Sequence, residues 1–163
     1  MAPKFRAYDT KNKVMITNFH RSHMKIETGK VLYQLTTTNE NEIKAIASYN
    51  TFDDFTYRYS HDLKLMQSTG LKDKNGVEIF EGDCFAKAFQ MIEIPTGRTF
   101  LKDEIGVVKF IDGQFVCHID GWGSEPLKDV LGYQNTNDDH WKDGLVIGNI
   151  YENPELLEQA NES

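Results

Sequence analysis

Turn signals recur so often in the second half of this chain that only short strands fit between them. Asn75-Gly76, Glu81-Gly82-Asp83 and Asp112-Gly113 each offer a glycine where a tight reversal needs positive φ, and Gly121-Trp122-Gly123 adds a further break. The runs they bound are rich in β-branched and aromatic residues. Residues 84–89, 105–110 and 114–119 read as strands, the last two joined by Asp112-Gly113 as the clearest hairpin in the chain. Residues 127–133 fit a strand or a short helical turn. Residues 145–150 form a nearly continuous apolar run of the kind found in buried strands, and Pro154 stands at a favourable first position for a short helix over residues 155–159. Several short strands separated by turns make a small barrel. Residues 90–104, with Pro95-Thr96-Gly97-Arg98, read as a long loop between its first two strands.

The first half reads differently. Residues 5–9 alternate as a short strand does, and residues 13–19 do so less cleanly. Residues 24–27 and 31–37 flank Thr28-Gly29-Lys30, a hairpin in which Gly29 would supply positive φ. Asn39 with Glu42 three residues on resembles a capping box, and Ile43, Ile46 and Ala47 fall on one helical face, so residues 39–48 predict a short amphipathic helix. Phe55, Tyr57 and Tyr59 then alternate along a strand, either as core or as a partner surface. The expected fold class is α+β, mainly β: an N-terminal α+β region over residues 1–66, then a barrel over residues 67–163.

Charge divides at the same place. Residues 1–66 hold ten Lys/Arg and seven Asp/Glu, whereas residues 67–163 hold eight and eighteen, within a formal net charge of −7. An acidic chain is a poor default for wrapping DNA, although Lys4, Arg6, Lys11, Lys13, Arg21 and Lys25 make the first thirty residues basic. No apolar run is long enough for a membrane span or a signal-peptide core. With 163 residues, 39% of them apolar, a core is well supplied. Two cysteines exclude a disulfide framework or a four-cysteine zinc site; Cys84 and Cys117 fall on strands and read as small buried hydrophobes.

Motifs for chemistry are absent. There is no phosphate-binding GxxxxGK[ST] loop, no GxGxxG after a strand and no HExxH helix. Ser60-His61-Asp62 is contiguous, and neighbours on a strand point to opposite faces, which argues against a triad. His20 and His23 lack a third ligand, and Asp138, Asp139 and His140 lack the spacing of a calcium loop. No catalytic, cofactor or metal residue is assigned. Asp83, Asp103, Glu104 and Asp120 are acidic enough for an unrecognised active site, but nothing in the sequence places them together. Trp122 and Trp141 sit among Gly and Asp, either as anchors for a partner or as plugs in the end of a barrel.

Four segments together resemble the YopX family of bacteriophage and prophage proteins. They are Phe5-Arg6-Ala7-Tyr8-Asp9, where the family more usually has Trp in place of Tyr8; Leu65-Met66-Gln67-Ser68-Thr69-Gly70-Leu71-Lys72-Asp73-Lys74-Asn75-Gly76, continuing as Glu78-Ile79-Phe80-Glu81-Gly82-Asp83; Gly106-Val107-Val108-Lys109-Phe110 closing on Gly113 and Phe115; and Val146-Ile147-Gly148-Asn149-Ile150-Tyr151-Glu152-Asn153-Pro154-Glu155-Leu156. Residues 34–59 and 90–102 match least. The resemblance implies a small α+β region followed by an SH3-like β-barrel with a short C-terminal helix, a phage origin and the cytoplasm of a bacterial host. It carries over no catalytic residue.

Three readings of function follow. The first is a non-enzymatic accessory protein whose barrel engages a phage or host protein, or another copy of itself, through Trp122 or Trp141. The alternative is nucleic-acid binding by Lys4, Arg6, Lys11, Lys13, Arg21 and Lys25, with Phe19 or the aromatic stripe stacking on bases. The third is an enzyme whose site only coordinates could display.

Overall fold

The computed structural model describes residues 3–19, 21–26, 29–51, 59–132, 140, 141 and 144–161. It divides into two compact units, residues 1–67 and 68–163.

The first unit is built on β1 (Phe5–Asp9), β2 (Val14–Ile16), β3 (Arg21–Ile26), β4 (Gly29–Thr37), β5 (Ile43–Thr51), β6 (Tyr59–Asp62) and the first half of β7 (Lys64–Lys72). β1 lies between β2 and β7, with Ala7 opposite both Ile16 and Leu65, and β3-β4-β5-β6 form a second antiparallel sheet. Alternation decides what is buried. Val31 and Tyr33 on β4 meet Ala45 and Ala47 on β5, and they pack with Ala7, Ile16 and Leu63 into one core.

The helix expected over residues 39–48 is a strand. Ile43 opens β5 opposite Thr37, and the nine-residue ladder runs to Thr51 opposite Gly29. The turn explains the misreading. The Thr38 hydroxyl accepts from Glu40 N and Glu42 N, Thr38 N donates to Glu42 O at 2.8 Å, and Asn41 takes φ 62°. Those contacts close a hairpin around the polar residues that resemble a helix cap. Ala45 and Ala47 suit either period, and pairing with the buried face of β4 selects two over 3.6. The described part of the N-terminal unit is therefore all β. Gly29 also departs from expectation: it pairs with Ile26 inside the ladder, and residues 27 and 28 lie outside the described residues. The stripe over residues 55–57 lies outside the described residues too.

The second unit follows with the rest of β7, β8 (Glu78–Phe80), β9 (Asp83–Glu93), β10 (Arg98–Ile111), β11 (Gln114–Ile119), β12 (Gly123–Pro126), α1 (Leu127–Gly132), β13 (His140–Trp141), β14 (Gly148–Asn149) and α2 (Glu155–Asn161). Its main sheet is antiparallel and curled, ordered β12-β11-β10-β9-β13, with β14 pairing with β9 beside β13. Phe85, Phe89, Val108, Cys117 and Ile119 line its inner face, closed by Ile79, Leu127, Val130 and Trp141. Asp112-Gly113 makes the hairpin as expected, both at positive φ, with Ile111 opposite Gln114. The apolar run at 145–150 supplies only the two strand residues of β14, and Ile147 is exposed rather than buried.

Buried carboxylates organise two turns. Asp73 Oδ1 accepts from Asn75 N and Val77 N, each at 2.9 Å, and its Oδ2 accepts from Val146 N at 3.1 Å. Gly76 at φ 80° completes that turn. Asp83 Oδ2 accepts from Phe80 N at 2.8 Å. Asp73→Ala leaves three backbone donors without their acceptor and is expected to lower stability by about 2 kcal/mol, read by urea unfolding. A loss within experimental error would show that water replaces the carboxylate.

Candidate functional site

Trp122 occupies the turn after β11, its backbone N–H donating to Ile119 O at 3.0 Å between Gly121 and Gly123, both at positive φ. The indole is 53% exposed and stacks on Phe89 at 4.4 Å between centroids, 25° between planes. One ring face is thus held against the curled sheet. The side chain borders a cleft of about 620 Å³ whose lining includes Ile105 and Val107 of β10, His118 of β11, Asp120, and Ile150 and Leu157 on the far side. Glu104 and Lys109 also reach it, Glu104 being nearly buried and bonded to Lys102 Nζ at 2.8 Å. Of the four acids singled out from the sequence, the fold brings Glu104 and Asp120 to this cleft. Asp83 is buried in its turn, and Asp103 lies exposed along β10.

Trp141 is the opposite case. It is 2% exposed, in the core, so it is not the loop anchor that its polar neighbours suggested. Its Nε1 donates to Glu125 Oε2 at 2.8 Å, while Lys87 forms an ion pair with Glu125 Oε1. The Lys87 ammonium also lies over the rings of Trp141 and Phe89, at 5.4 and 5.0 Å. The reason for burial is register: Trp141 pairs with Lys87 on the inward side of β9 and lies against Gly106. A small cavity of about 80 Å³ remains among Phe89, Trp122, Glu125 and Trp141.

Residues 90–104, expected as a loop, are two strands. Ladder pairing continues from Lys102 opposite Phe89 to Arg98 opposite Glu93. β11 first pairs with β10 at Val107, and β13 meets β9 at Lys87 and Ala88, so among the described residues the ribbon beyond those points is two-stranded. Ile92, Ile94, Phe100 and Leu101 are all exposed on it, Ile94 by 89%. Alternation is not clean here, because Met91-Ile92 and Phe100-Leu101 put apolar side chains on both faces, and Pro95 favours the loop reading.

In the first unit the fold assembles a polar cluster that sequence spacing concealed. Asp9, fully buried, accepts five hydrogen bonds: Lys11 N, Asn12 N and His61 Nε2 on Oδ1 at 3.0, 3.1 and 2.9 Å, and Asn12 Nδ2 and the Tyr33 hydroxyl on Oδ2 at 2.7 and 3.0 Å. Burial pushes the carboxyl up, but the bonds from Asn12, His61 and Tyr33 outweigh it and hold the pKa below its ordinary value. The Tyr33 phenol is driven well up, by burial first and then by Asp9. Because the ionised carboxylate only accepts, His61 Nε2 carries the proton, and in the neutral ring Nδ1 accepts from Tyr49 Oη at 3.2 Å. Asn12 Nδ2 donates to the same hydroxyl at 2.8 Å. The contiguous Ser60 and Asp62 take no part in this set; Asp62 pairs instead with Lys44 at 3.7 Å. The cluster ties the β1–β2 turn to β4, β5 and β6.

The basic residues spread over both sheets of that unit. Lys4 and Arg6 lie at and in β1, Lys11 and Lys13 lie in the turn after it, and Arg21 and Lys25 are on β3. Lys11 Nζ sits over the Tyr49 ring at 5.0 Å. His20, Asp138 and Asp139 lie outside the described residues. Among the described residues, no group of three or more His, Cys, Asp or Glu is placed to hold a metal ion, and no helix is long and apolar enough to cross a membrane. Both thiols are free and buried. Burial, then the Asp83 charge, pushes Cys84 up to about 12.

The family described as YopX protein matches residues 4–158. The chain is also similar to the crystal structure of protein EF1440 from Enterococcus faecalis, at 33% identity over 96% of this chain and 99% of that one, with a TM-score of 0.46. No curated protein matches it.

Proposed function

The chain belongs to the YopX family, and from that premise we propose that it is a non-enzymatic accessory protein of phage or prophage origin, acting as a protein-interaction module in the cytoplasm of a bacterial host. The curled sheet of residues 68–163 is read as an SH3-like barrel that carries the interaction surfaces.

The observation that supports this reading is the two-stranded ribbon at the end of β9 and β10. Four large apolar side chains stand exposed on it, Ile92 and Leu101 on one face and Phe100 on the other, with Ile94 next to the turn. Large apolar side chains left exposed on a ladder cost solvation in the free protein and recover it on binding. Trp122, stacked on Phe89, adds a second fixed aromatic to the same unit.

The test compares the tagged chain with an Ile92→Asp/Leu101→Asp variant, each purified from prophage-carrying cells with and without nuclease. Both substitutions are at exposed positions, so stability should change by no more than about 0.5 kcal/mol. A protein that accompanies the wild type after nuclease treatment and is absent from the variant supports the reading. Co-purification that the variant retains overturns the role of the ribbon. Loss of all partners on nuclease and high-salt treatment would favour the nucleic-acid reading instead.

A further inference from the structure

We infer that the cleft beside Trp122 docks a Lys- or Arg-bearing segment of a partner protein. This rests on the interaction reading but concerns a surface separate from the ribbon.

The lining combines what a long cationic side chain needs. Ile105, Val107, Ile150 and Leu157 offer apolar wall for an aliphatic stem, and about 620 Å³ accommodates more than one side chain. Asp120 stands exposed at the cleft and is the anion offered to the cation; Glu104 also lines it, its carboxylate already paired with Lys102 Nζ. Trp122 supplies an indole for a cation, and its stacking on Phe89 means that little side-chain freedom is lost on binding.

Charge complementarity selects the occupant. Residues 68–163 carry eight Lys/Arg against eighteen Asp/Glu, so the surrounding field attracts cations and repels phosphates and acidic peptides. Lys109 and His118 line the cleft as well. His118 is bonded through Nδ1 to Ser124 Oγ at 2.8 Å, and the Lys109 side chain is exposed and long enough to turn outward. A protein segment is favoured over a free polyamine because the apolar walls are of use only to a ligand that brings apolar surface with its charge.

The experiment titrates the full chain with short peptides alternating Leu with Arg or Lys, reading Trp emission and heat, at low and at high salt. The chain has two tryptophans and Trp141 is buried, so a change in emission reports chiefly on Trp122. Saturable binding is expected, weakened by salt and by at least about tenfold in Asp120→Lys. Trp122→Phe should retain most of the affinity, whereas Trp122→Ala should lose it. Equal binding of the Leu-Glu counterpart, unchanged affinity in Asp120→Lys, or no binding by any basic peptide overturns the inference. Spermine binding as tightly as the peptides would also overturn it, in favour of a small polycation. The ribbon variant Ile92→Asp/Leu101→Asp should bind the peptides normally. A cleft that ignores the peptides while the ribbon still captures its protein would overturn this inference alone and leave the interaction reading standing.

Discussion

Gly106→Ala should be among the most damaging single-methyl additions available to this chain. A Cβ at position 106 would stand 2.5 Å from Cys117 Sγ and 2.5 Å from Trp141 Cη2, with Trp141 Cζ3 at 2.8 Å. Neither neighbour can yield. Cys117 is fully buried on the adjacent strand, and Trp141 is held by its hydrogen bond to Glu125 and by Lys87 across its ring. The backbone at Gly106 is central in the sheet, paired with Phe85, so it cannot move without opening the ladder. Overpacking of this kind is expected to cost about 3 kcal/mol and to lower the melting temperature by on the order of 10 °C. The cause can be isolated by repeating the substitution in a Trp141→Leu background. That background is itself destabilised by about 3 kcal/mol through the lost ring, yet it opens the space the new methyl needs. The cost of Gly106→Ala should then fall by about 1 kcal/mol or more. Simple additivity of the two changes would mean that contact with the indole is not the source.

Such a clash could not be read from the chain, and the reason separates what was legible from what was not. Local physics was legible. Asp112-Gly113 and Asn75-Gly76 form the turns their residue types demand, and Asn149 and Asn153 bond nearby backbone at the entry to α2. Cys84 and Cys117 are buried on neighbours of β10. Where two local readings competed, the sheet decided. Residues 43–47 satisfy a helical period, but the buried face of β4 imposed a period of two. Pro95 made a loop of the most natural reading at 90–104, while the ladder continues on both sides of the turn. Trp141 looked like a loop residue because its neighbours in sequence are polar; its neighbours in space are Gly106, Lys87 and Glu125. The cleft beside Trp122 has the same origin, since Asp120 and Ile150 come together only through the curl of the sheet. The Asp9 cluster draws on residues up to fifty-two positions apart, and His61 joins it without Ser60 or Asp62, as expected of strand neighbours that point to opposite faces.

That cluster sets the second large effect. Asp9→Asn is expected to destabilise the protein by about 3 kcal/mol at neutral pH. Five donors converge on the carboxylate, and an amide in its place presents two N–H groups to some of them. Substituting Ala removes the clash of donors but also takes away the oxygen to which the buried Tyr33 hydroxyl donates, so it should be no milder. The effect has a pH signature of defined sign. The folded pKa of Asp9 is depressed relative to the unfolded value of about 3.9. The stabilisation is therefore complete above about pH 4 and lost as pH falls through the folded pKa. Wild type and Asp9→Asn should differ by a constant amount from neutrality down to about pH 4, then converge in stronger acid. The other carboxylates titrate in both proteins and cancel in the difference. Urea unfolding followed by circular dichroism at a series of pH values measures it. A difference that persists undiminished well below about pH 3 would show that Asn fails for steric reasons, and that the ionised carboxylate is not what holds the β1–β2 turn against β4, β5 and β6.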